Sequence, residues 1–173
     1  MKTTYDAIII GFGKGGKTLA GYLARKGKSV AMIEKSEHMY GGTCINTGCI
    51  PTKSLIDSAQ RAAVLHPAAF AEKAALYAQA ISAKTSLVEK LRAKNYHMLA
   101  DQENITIYHG TASFKDAHTV CITNEKDFLE LSAAQIFINT GSSPFIPPIE
   151  GLQNSMHVYL SETILNLREL PKE

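Results

Sequence analysis

Apolar and polar positions near the start of the chain follow a strand–helix–strand pattern. Residues 5–10, YDAIII, form a short continuous apolar run, which is typical of a strand buried on both faces of a parallel sheet. After a glycine-rich turn, TLAGYLARKG is helical and ends at Gly27, where a C-terminal cap glycine is expected. SVAMIE is a second buried strand and ends at Glu34. Together these elements predict a βαβ unit.

The middle of the chain is helical. KSLIDSAQRAAVL predicts one helix, and His66-Pro67 ends it because a residue before proline avoids the α region. Residues 68–101 are rich in Ala, Leu, Lys and Glu, and they predict one long amphipathic helix with an interruption near Ser82. Its apolar stripe consists of Leu76, Ala80, Leu87, Leu91 and Met98.

From Asn104 onward the pattern changes to short strands. ITIYHG, TASFKD, HTVCIT and FLELSA are separated by turn residues, which indicates an antiparallel meander. AQIFINTG differs from these, because it is a buried strand that runs into a glycine turn. A proline-rich loop and a short helix within SETILNLRELPKE complete the chain.

A glycine fingerprint links the first strand to the first helix. Gly11, Gly13 and Gly16 form a G-x-G-x-x-G pattern that binds dinucleotides when a strand precedes it and a helix follows. The glycines allow a tight turn, a close approach of backbone to pyrophosphate, and, with Ala20, close packing of helix on sheet. The helix start attracts phosphates, and Glu34 is placed to accept hydrogen bonds from a ribose. This pattern predicts a dinucleotide site without separating NAD from FAD.

Composition and charge narrow the possible partners. The 173 residues are 45% hydrophobic, enough for a core that needs no metal or permanent disulfide. The net charge of +2 is too weak to indicate nucleic acid or an anionic membrane. No cleavage site or membrane-length segment occurs, so we expect a cytoplasmic protein. Lys14 and Lys17 fall at the start of the first helix, where they assist an anion or are solvated, and solvation is the expectation for Lys17.

Two cysteines, Cys44 and Cys49, lie close together in GGTCINTGCIPTK. A structural zinc site needs four ligands, and none has suitable spacing from this pair. A permanent disulfide is not expected in a reducing compartment. In an ideal helix, Cα atoms five positions apart are about 8.7 Å apart, whereas a disulfide needs less than about 7 Å. Gly48 and Pro51 allow the segment to distort, so we predict a reducible, redox-active disulfide whose place at a helix start favours thiolate.

GGTCINTGCIPTK resembles the active-site signature of the class I pyridine nucleotide–disulfide oxidoreductases, which include glutathione reductase, lipoamide dehydrogenase and mercuric reductase. The glycine fingerprint and FINTGSSPFIPPIEG also resemble the flavin domain of this family, so the resemblance covers nearly the whole chain. GFGKGGKTLA and MYGGTCINTGCIPTK are most similar to its reactive-chlorine-resistance, mercuric-reductase-like branch.

The resemblance implies an α/β fold. We expect a Rossmann-like FAD/NAD(P)-binding fold in which a central parallel sheet, helices and an antiparallel β-meander form three ββα layers, with part of the domain missing. Residues 1–150 are expected to form the N-terminal part of the FAD-binding domain, with a helical excursion at 54–101 and the meander at 104–132. Residues 151–173 are expected to be a linker toward an absent NAD(P)-binding domain. The chain is thus expected to be an N-terminal fragment of a homodimeric parent protein.

The resemblance also implies roles for individual residues. Cys49 is the thiolate against the flavin, and Cys44 is the interchange thiol that passes electrons to a disulfide or a soft metal ion. Lys53 lies near the isoalloxazine ring and stabilises its reduced form. The implied contacts to FAD are Gly11, Gly13, Lys14, Gly15, Gly16, Glu34, Lys35, Gly42, Thr43, Cys44, Lys53, Gly110, Ala112, Thr140 and Gly141.

The implied activity is a chain of electron transfers. NAD(P)H reduces tightly bound FAD, FAD reduces the Cys44–Cys49 disulfide, and the dithiol reduces a small-molecule disulfide, a quinone or a metal ion. Because no second glycine fingerprint occurs, the alternative is a FAD- or nucleotide-binding fragment without turnover by itself. The acceptor and the choice between NADH and NADPH stay open.

Overall fold

The computed structural model describes residues 3–125, 127–152 and 154–172. The predicted domain limits at residues 1 and 173 lie outside these ranges. The chain divides into two compact units, each built from two stretches of sequence. The first unit consists of Met1–Asn46 and Leu91–Gly141, and the second consists of Thr47–Lys90 and Ser142–Glu173.

The first unit contains a six-stranded mixed sheet in the order β3-β2-β1-β6-β5-β4. Neighbours among β3, β2, β1 and β6 run parallel, whereas β5 runs antiparallel to both β6 and β4. The strands are β1 (Thr4–Ile10), β2 (Val30–Glu34), β3 (Ile105–His109), β4 (Thr111–Phe114), β5 (Thr119–Thr123) and β6 (Phe128–Ile138). The helices along the chain are α1 (Lys14–Arg25), α2 (Thr43–Asn46), α3 (Cys49–Val64), α4 (Phe70–Ala100) and α5 (Ser161–Ile164), with a 3-10 turn at Glu37–Met39.

Side chains on the two faces of the sheet form two separate cores. Alternate residues of a strand point to opposite faces, so Ile8 and Ile9 enter different cores. The core around Ile8 includes Ile122 of β5. The core around Ile9 includes Ala20 of α1 and Leu99 of α4. Side chains of the antiparallel strand β5 therefore contribute to one core and side chains of the helices to the other, which confirms the predicted α/β fold.

The prediction of two separate strands at the end of the sheet is wrong. FLELSA and AQIFINTG were expected to be two strands, but residues 128–138 form the single strand β6. Its first part pairs with β5, and its second part pairs with β1, the two pairings meeting at Ser132. One strand can pair with both neighbours because its side chains alternate between the two faces of the sheet. Its first part belongs to the half-buried antiparallel meander, and its second part belongs to the parallel centre of the sheet.

The two predicted long helices are present, with differences at their ends and along their faces. α3 starts at Cys49, and α4 continues for 31 residues without the interruption expected near Ser82. His66 has a left-handed φ of 47° beside Pro67, which explains why α3 ends at Val64.

The buried face of α4 differs from the predicted apolar stripe. Leu87 and Met98 are 40% and 52% exposed. The buried side chains of this helix are Lys84, Val88, Asn95 and Leu99. Two of them are polar, so hydropathy alone could not identify this face.

Candidate functional site

The glycine turn after β1 has the geometry that its sequence predicts. Gly11 has a φ of +105°, donates its N–H to the Ile33 carbonyl at 2.8 Å, and would place a Cβ against the backbone carbonyl of Asn139. A Cβ at Gly16 would lie 2.5 Å from the Gly11 carbonyl oxygen. Both positions therefore need glycine, the first for its conformation and the second for space.

The start of α1 leaves its backbone donors available. Gly13 is the N-cap with extended backbone, no side chain caps the helix, and its first turn contains no acidic residue. Lys14 and Gly15 are exposed at this end. The first N–H groups of a helix have no partner within the helix, so this end of α1 can bind an anion.

Asn139 supports the same turn, and sequence reasoning missed it. Its Nδ2 donates to the Gly11 carbonyl at 3.0 Å, and its amide would contact a Cβ added at Gly13 or Gly15. Parallel pairing of Ile10 with Ile138 brings the carboxyl ends of β1 and β6 together. A polar residue immediately after a predicted parallel strand was the available signal.

Glu34 lies at the end of β2 and is only 9% exposed. Its Oε2 accepts the Phe12 N–H at 2.9 Å, and its Oε1 accepts the Ser36 N–H at 3.1 Å. Each carboxylate oxygen keeps a second lone pair. Lys35, the next residue, is exposed. The carboxylate thus fixes the glycine turn and retains capacity for a ribose hydroxyl.

A second pair of glycines brings the cysteine segment onto the first turn. Gly41 donates its N–H to the Phe12 carbonyl at 3.1 Å. Gly42 has a φ of +78°, and a Cβ there would lie 2.7 Å from the Cα of Gly13. Thr43, exposed, and Cys44, half-buried, follow at the start of α2. The segment that carries Cys44 therefore packs directly on the glycine turn.

Asn46 holds this segment through three hydrogen bonds. Its Nδ2 donates to the carbonyls of Tyr40 at 3.0 Å and Gly42 at 2.9 Å. Its Oδ1 accepts from Nε of Arg92 on α4 at 2.8 Å. Asn46 is a buried residue and the three bonds are partly buried, so water competes with them less than it does at the surface. They fix both ends of the turn that precedes Cys44.

Aromatic packing adds to the same attachment. The ring of Tyr40 lies 5.1 Å from that of Phe12 and 4.8 Å from that of Tyr96 on α4, measured between centroids. Burial, with smaller contributions from Glu37, Tyr96 and Glu34, raises the pKa of Tyr40 to about 12. Tyr40 therefore stays neutral across the physiological range.

The second unit begins between the two cysteines. Cys49 is exposed and is the first residue of α3, whose N-cap Gly48 has a non-helical φ of −133° and ψ of −110°. The two cysteines thus belong to different helices, with the non-helical Gly48 between them. Pro51 is buried in the first turn, and Lys53 is exposed on the same helix. No acidic residue occupies the first turn of α3.

Two of the residues predicted to contact FAD, Lys35 and Gly110, line one cavity of the first unit, whereas Ala112 is not among its lining residues. The cavity has a volume of about 390 Å³. Gly110 has a φ of +154°, and a Cβ there would lie 2.8 Å from the Thr123 carbonyl oxygen. Ala112 pairs with Ile122 between β4 and β5. Gly110 is therefore required by strand packing whether or not a ligand binds.

The last predicted pair, Thr140 and Gly141, follows β6. Both residues are exposed, and Gly141 has a φ of +72°, with no atom within 4 Å of the position that a Cβ would take. The glycine at this position is therefore explained by backbone conformation and not by crowding.

Neither a metal cluster nor a membrane-spanning helix is found in the described part of the chain. Across residues 3–172, excluding 126 and 153, no three or more His, Cys, Asp or Glu side chains are grouped so that they could hold a metal ion. Over the same residues, no helix has the length and apolar character that crossing a bilayer requires.

Comparison with known proteins places these features in a family. Residues 5–173 match the family described as pyridine nucleotide-disulphide oxidoreductase. The chain is 47% identical over 167 residues to the probable pyridine nucleotide-disulfide oxidoreductase RclA of Escherichia coli K12, covering 96% of this chain and 35% of that protein. It is 38% identical to a mercuric reductase of Streptomyces lividans, covering 98% of this chain and 37% of the relative.

A solved structure agrees with the sequence comparison. The Cu(II) complex of the HOCl-induced flavoprotein disulfide reductase RclA from Escherichia coli superposes with a TM-score of 0.87 at 46% identity. That match covers 97% of this chain and 35% of the solved chain, so the present chain spans about a third of the length of these relatives. The chain belongs to the pyridine nucleotide-disulfide oxidoreductase family.

Proposed function

We propose that the protein containing this chain is a FAD-dependent NAD(P)H:disulfide-type oxidoreductase. In this proposal electrons pass from the flavin through a Cys44–Cys49 redox disulfide to a disulfide or metal-ion acceptor. The observation that carries the proposal is the close approach of Gly42 to Gly13. It brings the segment with Cys44 against the turn that is suited to a dinucleotide phosphate.

The residues present fit FAD. The uncapped start of α1 offers backbone N–H groups, and glycines leave room for a phosphate to approach them. The Oγ1 of Thr47, between the cysteines, is buried and has no hydrogen-bond partner among the described residues, which leaves a donor for a bound group. When bound, FAD supplies two-electron redox chemistry. The residues proposed to hold it are Gly11, Gly13, Lys14, Gly15, Gly16, Glu34, Lys35, Gly42, Thr43, Cys44, Lys53, Gly110, Ala112, Thr140 and Gly141.

The two cysteines have different proposed roles. Cys44, in α2 directly after the turn that Asn46 holds, is the proposed interchange thiol. Cys49 is the thiol that faces the flavin, at the start of α3 where the helix dipole favours an anion. Lys53 is the proposed cation for the reduced ring. A metal ion is included among the proposed acceptors because one relative is a mercuric reductase and another has been solved as a Cu(II) complex. A quinone is the further proposed acceptor.

A second candidate is a FAD-binding segment that has no turnover by itself. It is favoured by length, since the chain spans about a third of its relatives. NAD(P)H as the donor and a homodimeric assembly are accordingly proposed only for the whole protein.

Cysteine variants of the intact protein test the proposal. Cys44→Ser should abolish NAD(P)H-dependent disulfide reduction while the flavin is still bleached by the reduced nucleotide under anaerobic conditions. Cys121→Ser is the matched control, because Cys121 lies in β5 and belongs neither to a glycine turn nor to the proposed FAD contacts, and it should keep normal turnover. Normal disulfide reduction in Cys44→Ser would refute the assigned route. The isolated chain separates the candidates, since it should bind FAD without oxidising NAD(P)H.

A further inference from the structure

Lys17 is not the solvated residue that its sequence position suggested. It lies in the second turn of α1, it is half-buried, and its Nζ donates a hydrogen bond to Oδ1 of Asn95 on α4. None of the ion pairs found among the described residues includes Lys17. A partly buried ammonium with only an amide for a partner is costly unless a negative group lies nearby.

Asn95 is built to orient this ammonium. The residue is 6% exposed, and its Nδ2 donates to the Leu91 carbonyl at 2.6 Å, one turn earlier in α4. Because the NH2 group is used in this bond, the Oδ1 atom is left to face Lys17. Asn95 thus fixes the position of the ammonium from a second helix.

The same amide packs on the segment that carries Cys44. A Cβ added at Gly41 would lie 3.2 Å from Cγ of Asn95 and 2.6 Å from Cδ1 of Ile45. Gly41 is therefore enclosed by Asn95 and by the residue that follows Cys44. The Lys17–Asn95 pair is therefore packed against Gly41, in the turn that precedes Cys44, within the first unit.

Charges act on Lys17 from two helices. Burial lowers the pKa of Lys17, the ammonium of Lys14 on its own helix lowers it further, and Cys44 on α2 opposes both. From α4, the neutral amide of Asn95 faces Lys17, and the guanidinium of Arg92 donates to Asn46 on α2, the helix that carries Cys44. Since coupling between two titrating groups is reciprocal, an ammonium stabilised by a thiolate also stabilises that thiolate.

We infer that Lys17, held in place by Asn95, is a positioning residue that stabilises the thiolate of Cys44 for thiol–disulfide exchange. This inference rests on the proposed function. The Cys44 thiolate attacks one sulfur of the acceptor disulfide, the S–S bond breaks, and the expelled thiolate takes a proton from water. The Cys49 thiolate then attacks Sγ of Cys44, forming the Cys44–Cys49 disulfide and releasing the second acceptor thiolate. The cysteine pair loses two electrons and the acceptor gains two.

Alkylation kinetics of the intact, flavin-loaded protein test this inference. In a Cys49→Ser background, the rate at which iodoacetamide modifies Cys44 is followed by mass spectrometry from acidic to alkaline pH. Lys17→Met should slow the reaction at neutral pH by about three- to tenfold, the effect of removing one partly screened charge. At a pH where the thiol is fully ionised, the rates should converge. Lys17→Arg should restore most of the neutral-pH rate.

Two further variants control for charge and for folding. Lys94→Met removes an exposed charge next to Asn95 on α4 and should stay close to the parent rate. Asn95→Ala keeps the ammonium but releases it, and should give a smaller loss than Lys17→Met. Flavin content and the urea midpoint of each variant show whether it is folded.

Several results would overturn the inference. Lys17→Met could react as fast as the parent at neutral pH, its deficit could persist at alkaline pH, or Lys17→Arg could be as slow as Lys17→Met. Failure of the proposed function is distinguishable from these, because it appears as disulfide reduction that survives Cys44→Ser. That result says nothing about the alkylation rates.

Discussion

The contact between the two glycine turns can be tested by adding one methyl group. Gly42→Ala places a Cβ 2.7 Å from the Cα of Gly13, a distance that backbone atoms cannot accommodate without moving. It also puts alanine at a φ of +78°, a left-handed conformation that L-residues avoid. The substitution therefore adds both a conformational and a packing cost.

Gly27 is a matched control for the conformational part. Its φ is +76°, nearly the same as that of Gly42, and no atom lies within 4 Å of a Cβ built there. It belongs to the same unit and caps the end of α1, where its N–H is bonded to the Ala24 carbonyl at 2.9 Å. Gly27→Ala should thus show the left-handed penalty without the clash.

The magnitudes follow from these two contributions. A non-glycine residue in the left-handed region costs about 1–2 kcal/mol, and overpacking of a close contact costs about 1–3 kcal/mol more. We expect Gly27→Ala to lower the free energy of unfolding by about 1–2 kcal/mol, and Gly42→Ala by about 2–5 kcal/mol. The difference between the two variants isolates the contact with Gly13.

Urea unfolding followed by circular dichroism measures both variants. With a urea dependence of about 1–3 kcal/mol per molar, the midpoint of Gly42→Ala should lie about 1 M below that of Gly27→Ala. FAD titration should show weaker binding for Gly42→Ala alone, because only this change displaces the phosphate-binding turn. Equal midpoints and equal FAD affinities in the two variants would show that the cysteine segment is not packed on that turn.

Three other predictions concern the hydrogen bonds around the site and the charges outside it. Asn46→Ala removes three partly buried hydrogen bonds and should lower the free energy of unfolding, measured in urea, by about 2–4 kcal/mol. The control Asn104→Ala removes one longer bond of 3.3 Å to the Ala24 carbonyl and should cost clearly less. Similar losses would contradict the role given to the three Asn46 bonds. Hydrogen bonds from Ser29 lower the pKa of Asp6 from 3.8 to about 2, so the stability that the Asp6 carboxylate contributes is present at neutral pH and is lost as the pH falls through this range. Asp6→Asn should lack that part of the acid unfolding transition. Superimposable acid unfolding curves for the variant and the wild type would contradict this prediction. Burial lowers the pKa of Lys84 below 10.5, so the folded state binds fewer protons than the unfolded state, and stability should rise as the pH approaches 10.5. Over this range the free energy of unfolding of the wild type should rise relative to that of Lys84→Met. A difference between the two proteins that does not change with pH would refute this prediction.

The βαβ unit could be predicted because its information is local. Continuous apolar residues specify a strand buried on both faces, and the glycine spacing specifies a turn that only glycine can form. The structure places β1 and β2 side by side, with Ala7 opposite Val30 and Ile10 opposite Ile33. Nothing from distant parts of the chain is needed to reach that result.

Features that depend on distant partners could not be read in this way. The halves of β6 look like two strands because their burial patterns differ, and only pairing with both β5 and β1 makes them one. Lys84 and Asn95 look like the solvated side of α4, yet each is buried against a partner remote in sequence. Hydropathy cannot reveal a buried polar residue, because its burial depends on the partner that satisfies it.

Asparagine is the common element in what the sequence analysis missed at the site. Glycine turns have no side chains of their own to hold them, so neighbouring groups must bond or pack against their backbone. Asn139 donates to the Gly11 carbonyl, Asn46 donates to the Gly42 carbonyl, and Asn95 encloses Gly41. An amide suits this task because it offers a donor and an acceptor without a charge that would bias a nearby thiol. The charge that acts together with Cys44 is instead that of Lys17, and its sign is the one that favours a thiolate.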